Sequence, residues 1–398
     1  MNGWLRRVLF TVRAGGGRSR GFLLFLMSVV SLVQVALTWM CLPIAMAARA
    51  FSGKRPPRLL VICIGGIGDV VLAVPAIQAL HEKYPDWPVT LVVHSIARGF
   101  SELLPGVVDR EVCFRPSTGV WYVFDPLRAA ALVLRERLYA GTMLAAVLRW
   151  HTDTGCAGSI ALLSRAPRRI GFPSGVFPEK AARNWLYDSF YAALSRPSAE
   201  IHETQKLALL LREQEKIDPP PLSGIWKAPA TGNAVVIAPF AGKARRNWPL
   251  EQWAEVITAL AAESSIGEFR IAGGPADRAP AERLAKSCPR TVNLCGALSF
   301  PQLLDTLRAA RVVVGADSSI VHLASAAGVP IVVVACHPIG ASPAHFNAPE
   351  RFRPPGDRVT VLRPTANPGC EAACEAAAPC CIRNLTASQV ISSVLRYT

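Results

Sequence analysis

The stretch Leu59-Leu-Val-Ile-Cys-Ile-Gly-Gly-Ile-Gly-Asp69 indicates the fold of this chain. Its first seven residues, ending at Gly65, form an apolar run of the length expected for a buried parallel strand. A glycine-rich turn follows, and a helical pattern runs from about Asp69 to His81. A strand, a glycine-rich turn and a helix in this order open a doubly wound α/β domain.

The same alternation continues along most of the chain. In the first half it predicts further strands and a helix at Val89–His94, Val107–Phe114, Asp125–Tyr139 (the helix) and Thr142–Arg149. A second series of strands and helices begins with AVVIAPF at Ala234–Phe240 and ends with PIVVVAC at Pro330–Cys336. The segment Arg196–Ala230 lacks this alternation and contains three consecutive prolines, so it predicts an interdomain linker.

These patterns predict two doubly wound, Rossmann-like α/β domains facing a cleft, at residues 58–225 and 231–398. A basic arm at residues 1–20 and an apolar segment at residues 21–48 precede them. In open α/β sheets, ligands bind outside the carboxyl ends of the strands, at the point where the strand order reverses. Functional residues are therefore expected in the segments that directly follow strands.

The segment from Gly21 to Ala48 has no charged residue and is long enough to cross a hydrocarbon core of about 30 Å as a helix. The apolar run exceeds the core of an ordinary signal peptide. Bases flank it on both sides, so the positive-inside rule gives no orientation. Pro43 leaves a re-entrant or interfacial segment open, in which the helix breaks near Leu42 and Pro43 and both basic flanks stay on one face. A membrane is the predicted partner in either case.

The formal net charge of +15 would ordinarily suggest nucleic acid or an anionic membrane as a partner. The first 60 residues hold nine bases and no acid, so the rest of the chain carries an excess of only six. The charge is thus concentrated beside the apolar segment, and no nucleic-acid partner is predicted. Eleven cysteines in 398 residues are too sparse for a disulfide framework and indicate a cytoplasmic protein.

The glycines of the first turn are Gly65, Gly66 and Gly68, which let a ligand approach the backbone and the following helix N-terminus. They do not form G-x-G-x-x-G, and the second strand ends in His94 instead of an acidic residue. These differences disfavour a nicotinamide-dependent dehydrogenase. Asp69 either complements the helix dipole or serves as a general base that accepts the proton of a sugar hydroxyl.

A basic loop follows the first strand of the second domain. It contains Lys243, Arg245 and Arg246, and it ends at Trp248-Pro249, with the proline suited to the first helical position. Such a loop is either a solvated turn or a set of cations that neutralises a diphosphate leaving group. Trp248 is expected to pack in the core.

Further along the chain, polar residues separate an apolar strand from a helix. Asp317, Ser318 and Ser319 are typical of a helix N-terminus whose free N–H groups can hold a phosphate. His322, one turn into this helix, is either a core histidine or a ligand contact.

Read in order, four motifs resemble glycosyltransferase family 9, the lipopolysaccharide heptosyltransferases. They are Gly68-Asp69 with Pro75, Leu162-Leu-Ser-Arg-Ala-Pro-Arg-Arg-Ile-Gly171-Phe, the basic loop ending at Trp248-Pro249, and Asp317 through His322-Leu-Ala to Gly328-Val-Pro330. The resemblance covers about Arg58 to Leu395. One departure is Ser319, because the family commonly has glycine at this position.

The resemblance implies a GT-B fold, with an N-terminal acceptor domain, a C-terminal nucleotide-sugar domain, no catalytic metal and no cofactor. Asp69 matches the catalytic base, which deprotonates the acceptor hydroxyl for direct attack on the anomeric carbon with inversion. Arg246 matches the cation that stabilises the departing diphosphate. Asp317 and His322 match the donor-contacting pair, and Lys243, Arg245, Ser318 and Ser319 lie beside them in the sequence.

Four thiols lie close together near the end of the chain, at Cys370, Cys374, Cys380 and Cys381. Their spacing differs from paired C-x2-C zinc motifs. Free thiols are the expected state, and a structural metal or a disulfide is the alternative.

The resulting expectation is an inverting, metal-independent glycosyltransferase at the cytoplasmic face of the inner membrane. It would move a sugar, heptose from ADP-heptose, onto a lipid-linked acceptor in lipopolysaccharide core synthesis. The alternatives are transfer of a different nucleotide sugar to another membrane glycolipid, and a catalytically silent, membrane-tethered nucleotide-sugar-binding protein.

Overall fold

The computed structural model of the chain describes residues 17–153, 155–227, 232–371, 378 and 380–398. They form two units, the first reaching Ala199 and including Thr204–Pro219, the second made of Glu200–Glu203 and Pro220–Thr398. Each unit is built on a six-stranded sheet, and every strand pair described in these sheets is parallel. The predicted α/β fold of two doubly wound domains is confirmed.

The first unit contains these strands and α-helices: α1 (Gly17–Ala50), β1 (Arg58–Cys63), α2 (Ile67–Lys83), β2 (Val89–His94), β3 (Arg110–Phe114), α3 (Asp125–Arg135), β4 (Thr142–Val147), α4 (Ala157–Leu163), β5 (Arg168–Gly171), α5 (Pro178–Asn184), β6 (Ala193–Leu194) and α6 (Glu203–Glu215), which begins at the unit boundary. The strand order is β3-β2-β1-β4-β5-β6. Since β1 and β4 are neighbours at the centre, the order reverses between them. The carboxyl ends of these two strands are where this unit can hold a ligand.

The second unit repeats the plan with β7 (Ala234–Ala238), α7 (Leu250–Leu260), β8 (Phe269–Ile271), α8 (Arg278–Ala285), β9 (Thr291–Asn293), α9 (Phe300–Arg308), β10 (Ala310–Ala316), α10 (Ser319–Ala326), β11 (Ile331–Val334), α11 (Pro349–Phe352), β12 (Val359–Leu362) and α12 (Ala387–Leu395). Its order is β12-β11-β10-β7-β8-β9, so the reversal falls between β7 and β10. The central strands are almost wholly apolar and buried, as expected for strands covered by helices on both faces.

Helix α1 is continuous, unlike the broken, re-entrant segment that the sequence left open. It continues from Gly17 to Ala50 through Pro43, so the break near Leu42 and Pro43 that the sequence left open is not present. The helix lies along the first unit, where Val35, Leu42 and Ala45 are buried among core residues of that unit. Packing on one side holds the helix together across the one backbone donor that proline lacks.

The predicted linker Arg196–Ala230 also contains more structure than expected. Helix α6 occupies Glu203–Glu215, with Leu207, Leu210 and Leu211 buried at helical spacing. The leucines have helical spacing in the sequence, but the three consecutive prolines that follow favour a linker.

Candidate active site

The loop after β1 places Asp69 in the first turn of α2. The Asp69 carboxylate reaches back to accept a hydrogen bond from the backbone N–H of Gly66, with Oδ2 at 2.7 Å. This side-chain bond caps the N-terminus of α2, a structural role that the sequence did not predict beyond the favourable interaction of Asp69 with the helix dipole. The side chain is nevertheless 31% exposed, which leaves the carboxylate accessible to a substrate hydroxyl.

Arg149 is the cation beside this carboxylate. It follows β4 and lies at the carboxyl edge where β4 and β1 are neighbours. Its Nη1 lies 3.8 Å from Asp69 Oδ2 and donates to the Ile64 carbonyl at 2.6 Å. Sequence reasoning did not single out Arg149, and the signal that could have found it is its position after a strand adjacent to β1.

Two of the three glycines in this loop have different structural roles. A Cβ on Gly65 would meet Asp69 Oδ2 at 2.2 Å and Arg149 Nη1 at 2.8 Å, whereas on Gly66 its nearest neighbour would be 3.7 Å away. Gly65 is therefore needed for the close approach of the ion pair. Gly68 is half-buried in the first turn of α2.

A cavity in the first unit extends from Arg149 past His151, Asp153 and Lys180. Asp153 caps α4, because its carboxylate accepts from the N–H groups of Ala157 at 2.8 Å and Gly158 at 2.7 Å. Lys180 donates to the Trp150 carbonyl at 2.6 Å, so this base is also bonded within the unit. Most of the accessible lining of the cavity is apolar, and the cavity does not by itself define a ligand.

His94, at the carboxyl end of β2, shares the electrostatic environment of this edge. Burial lowers the pKa of His94, and the positive charges of Arg149 and Arg115 lower it further. Its Nδ1 accepts a hydrogen bond from the Ile96 N–H at 3.1 Å. The neutral imidazole adds no positive charge near Asp69 at neutral pH.

In the second unit, Arg246 joins three loops that follow β7, β10 and β11. Its Nη1 lies 3.2 Å from the Asp317 carboxylate and donates to the Asp317 carbonyl at 3.2 Å. Its Nε and Nη2 donate to Asn347 Oδ1 at 3.1 and 2.8 Å. The structure thus brings Arg246 and Asp317 together, as a ligand site at the strand-order reversal requires. Asn347 was missed because its loop has no distinctive sequence pattern.

The other two cations of the basic loop lie over an aromatic ring. Lys243 Nζ is 4.4 Å and the Arg245 guanidinium 5.2 Å from the centroid of Phe346. Such cation–π contacts order long side chains without neutralising their charge. The ring also comes from the loop after β11, so the predicted basic loop depends on a segment that the sequence did not indicate.

The N-terminus of α10 retains its capacity to bind an anion. Ser318 is extended at the N-cap, and no side chain caps the first turn, which begins at Ser319. The Ser318 hydroxyl is buried and has no hydrogen-bond partner among the described residues. Free N–H groups and the helix dipole favour a phosphate here. His322 lies one turn further on and is buried.

Two further predictions concern residues outside the ligand-binding edges. Trp248 is in the core as expected, edge-on to Trp253 at 5.1 Å, with its Nε1 donating to the Leu385 carbonyl at 3.2 Å. None of Cys370, Cys380 and Cys381 is in a disulfide, and Cys374 lies outside the described residues.

Two Rossmann-like domains, one with an accessible carboxylate and one with cations at a bare helix N-terminus, define a glycosyltransferase of the GT-B type. Residues 189–365 match the model of glycosyltransferase family 9 (heptosyltransferase). The match covers part of each unit and a little under half of the chain, and over this region the chain resembles the family.

Curated relatives carry heptosyltransferase names, and a solved structure shares the fold. The chain is 21% identical to the lipopolysaccharide core heptosyltransferase OpsX of Haemophilus influenzae, over 70% of this chain and 79% of that protein. It is 24% identical to lipopolysaccharide heptosyltransferase 3 of Escherichia coli, over 67% and 79%. In structure it is similar to the Escherichia coli heptosyltransferase WaaC with ADP, at 20% identity and a TM-score of 0.64, over 86% of this chain and all of that chain.

Proposed function

We propose that this glycosyltransferase transfers heptose from ADP-heptose to a lipid-linked acceptor in lipopolysaccharide core synthesis, with inversion at the anomeric carbon. The family description and the names of both curated relatives support the heptosyl group. WaaC, which shares the fold, has been solved with ADP and with ADP-2-deoxy-2-fluoro heptose. The observation that carries the catalytic part is the accessible Asp69 carboxylate, held by Gly66 at 2.7 Å.

In the proposed reaction, the acceptor hydroxyl oxygen attacks the anomeric carbon while its proton passes to Asp69. The bond between the anomeric carbon and the diphosphate breaks on the opposite face, so a single displacement inverts the configuration. Arg149 lies 3.8 Å from the same Oδ2 atom that accepts from Gly66, and we infer that it helps to orient the carboxylate for the proton transfer.

The departing ADP takes the electron pair and gains negative charge on its diphosphate. Lys243, Arg245 and Arg246 supply three positive charges, and the α10 N-terminus supplies backbone donors. Charges fixed before the reaction stabilise the developing anion without reorganisation. This arrangement supports a donor site in the second unit.

Replacing Asp69 separates catalysis from binding and from helix capping. Asp277 provides a matched control, since it caps the N–H of Gly274 at 2.8 Å after β8 in the same way that Asp69 caps Gly66. We expect Asp69→Asn to lower kcat by about 10²–10⁴ while the affinity for ADP is retained. Asp277→Asn should cost stability only. Unchanged turnover in Asp69→Asn refutes the base assignment, and no transfer of any nucleotide sugar by the native enzyme indicates a silent binding protein.

Helix α1 supports association with the membrane surface, with the helix lying in the plane of the bilayer. One face of the helix bears polar residues that are bonded to the first unit. Gln34 Nε2 donates to the Tyr122 carbonyl at 2.7 Å, Gln34 Oε1 accepts from the Tyr187 hydroxyl at 3.0 Å, and the Thr38 hydroxyl lies 2.9 Å from the Ser159 hydroxyl. The opposite face is apolar and exposed, with these large side chains: Phe22, Phe25, Leu26, Val29, Leu32, Val33, Trp39, Met40, Ile44 and Met46.

The length of the contact argues against an upright helix. The first unit bonds α1 at the Ser28 carbonyl through Trp185 and at the Arg49 side chain through Tyr139. These positions are separated by about 30 Å along an α-helix, which is the thickness of a hydrocarbon core. An upright α1 would draw the polar flank of the unit into lipid, where backbone polar groups are costly. A helix in the interface plane instead immerses its apolar face and leaves basic residues such as Lys54 and Arg55 at the headgroups.

Two experiments test this arrangement. Met40→Glu with Ile44→Glu should abolish flotation of the purified protein with anionic liposomes. Val292→Glu, at an exposed apolar position in the second unit, should not. Reporters fused at each end of the chain should both be active on the cytoplasmic side. Reporters on opposite sides, or flotation that survives the double substitution, would contradict an in-plane helix.

A further inference from the structure

Three thiols converge in the segment between β12 and α12. Cys370 closes a turn that begins at Asn367, with the Cys370 N–H donating to the Asn367 carbonyl at 2.9 Å. Pro368 and Gly369, the latter with a φ of +82°, occupy the two central positions, as in a type II turn. Cys381 begins a short 3-10 helix that ends at Asn384. The turn and the helix bring the Cys370 sulfur close to those of the adjacent Cys380 and Cys381, which are ten and eleven residues further along the chain.

The sulfur positions match a tetrahedral metal site. The Sγ atoms of Cys370, Cys380 and Cys381 all lie within 4.8 Å of one another, and none of these thiols is in a disulfide. Four thiolates at about 2.3 Å from a Zn²⁺ ion would lie about 3.8 Å apart. A movement of less than about 1 Å therefore suffices to bring three ligands around an ion.

Backbone and amide donors point at two of the sulfurs. The Asn367 N–H donates to Cys381 Sγ and the Asn367 Nδ2 donates to Cys380 Sγ, each at 3.3 Å. Asn384 Nδ2 donates to Asn367 Oδ1 at 2.8 Å, which fixes the orientation of the Asn367 amide. Neutral thiols are weak acceptors, whereas thiolates bound to a metal are commonly stabilised by such N–H donors. This shell of donors is an observation independent of the proximity of the sulfurs.

We propose that Cys370, Cys380 and Cys381 bind a thiophilic divalent cation, Zn²⁺, as a structural site of the second unit. Thiolate ligands select zinc over hard cations such as Mg²⁺ and Ca²⁺. The ion would connect the turn after β12 to the 3-10 helix that precedes α12. A metal crosslink between these two elements would stabilise this part of the second unit.

The site is connected to the basic loop through the core. Ile382 and Leu385 are buried in the same core cluster as Trp248 and Trp253. The Leu385 carbonyl accepts the Trp248 indole N–H, and Trp248 directly follows the loop that carries Lys243, Arg245 and Arg246. Metal binding would therefore stabilise the core residues that support that loop, without contacting a substrate.

Metal analysis of the full chain tests the site independently of activity. We expect about one equivalent of zinc per chain after purification without chelator. Cys370→Ala and Cys381→Ala should lose it, whereas Cys288→Ala, which alters a buried thiol in the same unit, should keep it. Cobalt-substituted native protein should show a thiolate-to-cobalt charge-transfer band in the near ultraviolet. A chelator should lower the melting temperature of the native protein, which tests the site without any variant.

Two results would overturn the proposal. One is a native protein that contains no thiophilic metal and takes up neither Zn²⁺ nor Co²⁺ after reduction. The other is a disulfide between two of these cysteines in protein isolated under alkylating conditions. Neither result bears on heptosyl transfer, so failure of the metal site is distinguishable from failure of the proposed function.

Discussion

Arg149 and Asp69 come from neighbouring strand ends and approach within 3.8 Å. The same Arg149 nitrogen donates to the Ile64 carbonyl at 2.6 Å, so the guanidinium is anchored to backbone while it faces the carboxylate. We infer that Arg149 orients Asp69 for proton transfer. We expect Arg149→Met to lower kcat about tenfold or more, with ADP affinity unchanged, as measured by steady-state kinetics and calorimetry.

The conservative variant separates orientation from general damage. Arg149→Lys keeps a cation but loses the planar guanidinium, which donates to the Ile64 carbonyl while it faces Asp69. Its kcat should lie between those of the native enzyme and Arg149→Met. An Arg149→Met enzyme with native kcat would show that Asp69 is held by Gly66 alone.

The adjacent glycines of this loop give opposite predictions. Gly65→Ala would place a methyl group 2.2 Å from the Asp69 carboxylate, whereas Gly66→Ala meets nothing closer than 3.7 Å. Both changes add one carbon at consecutive positions, so they have similar intrinsic costs. We expect Gly65→Ala to reduce kcat severely by displacing the ion pair and Gly66→Ala to retain most activity. Equal effects of the two substitutions would mean that the Asp69 position is not critical.

The sequence was sufficient to predict the alternation of strands and helices, because a parallel strand such as β1 is buried on both faces and therefore reads as an uninterrupted apolar run. It also indicated Asp69 and Arg246, which lie in loops with distinctive patterns. Arg149 and Asn347 were missed because their roles depend on which strands are neighbours, a non-local property. Pro43 suggested a helix break that the structure does not contain. Packing of α1 on the first unit overrides the local helix-breaking tendency of proline.

The interaction of Arg246 with Asp317 and Asn347 predicts a role in holding ADP. Arg246→Met should weaken ADP binding about tenfold or more, because a charged donor is lost and the loops after β10 and β11 lose a common partner. Arg278→Met provides the control, since Arg278 forms an exposed pair with Glu282 at 3.5 Å. Calorimetric titration with ADP measures both. If the two variants bound ADP with equal affinity, Arg246 would not be part of the donor site.

Replacing Gln34 with an apolar residue tests whether α1 is docked on the first unit. Gln34→Leu would leave the Tyr122 carbonyl and the Tyr187 hydroxyl without the partners they have in the described structure. Unfolding of the first unit should therefore become easier by about 1–3 kcal/mol, as measured by denaturant titration in mild detergent. A simple transmembrane span would instead gain stability from the loss of a polar side chain. A stabilised Gln34→Leu protein would therefore contradict the docking of α1 on the first unit.

His337, buried after β11, predicts a specific pH dependence of stability. Burial, and next the electrostatic effect of His345, whose ring is stacked on it, lower the pKa of His337 to about 4. The unfolded chain binds a proton near pH 6.5, but the folded chain stays neutral until about pH 4. The free energy of unfolding should therefore fall as the pH drops between these values, by up to about 3 kcal/mol. Fluorescence of the buried Trp248 and Trp253 follows unfolding of the second unit. His337→Gln should flatten the dependence in metal-saturated protein, and an equally steep profile in that variant would assign the effect to other groups.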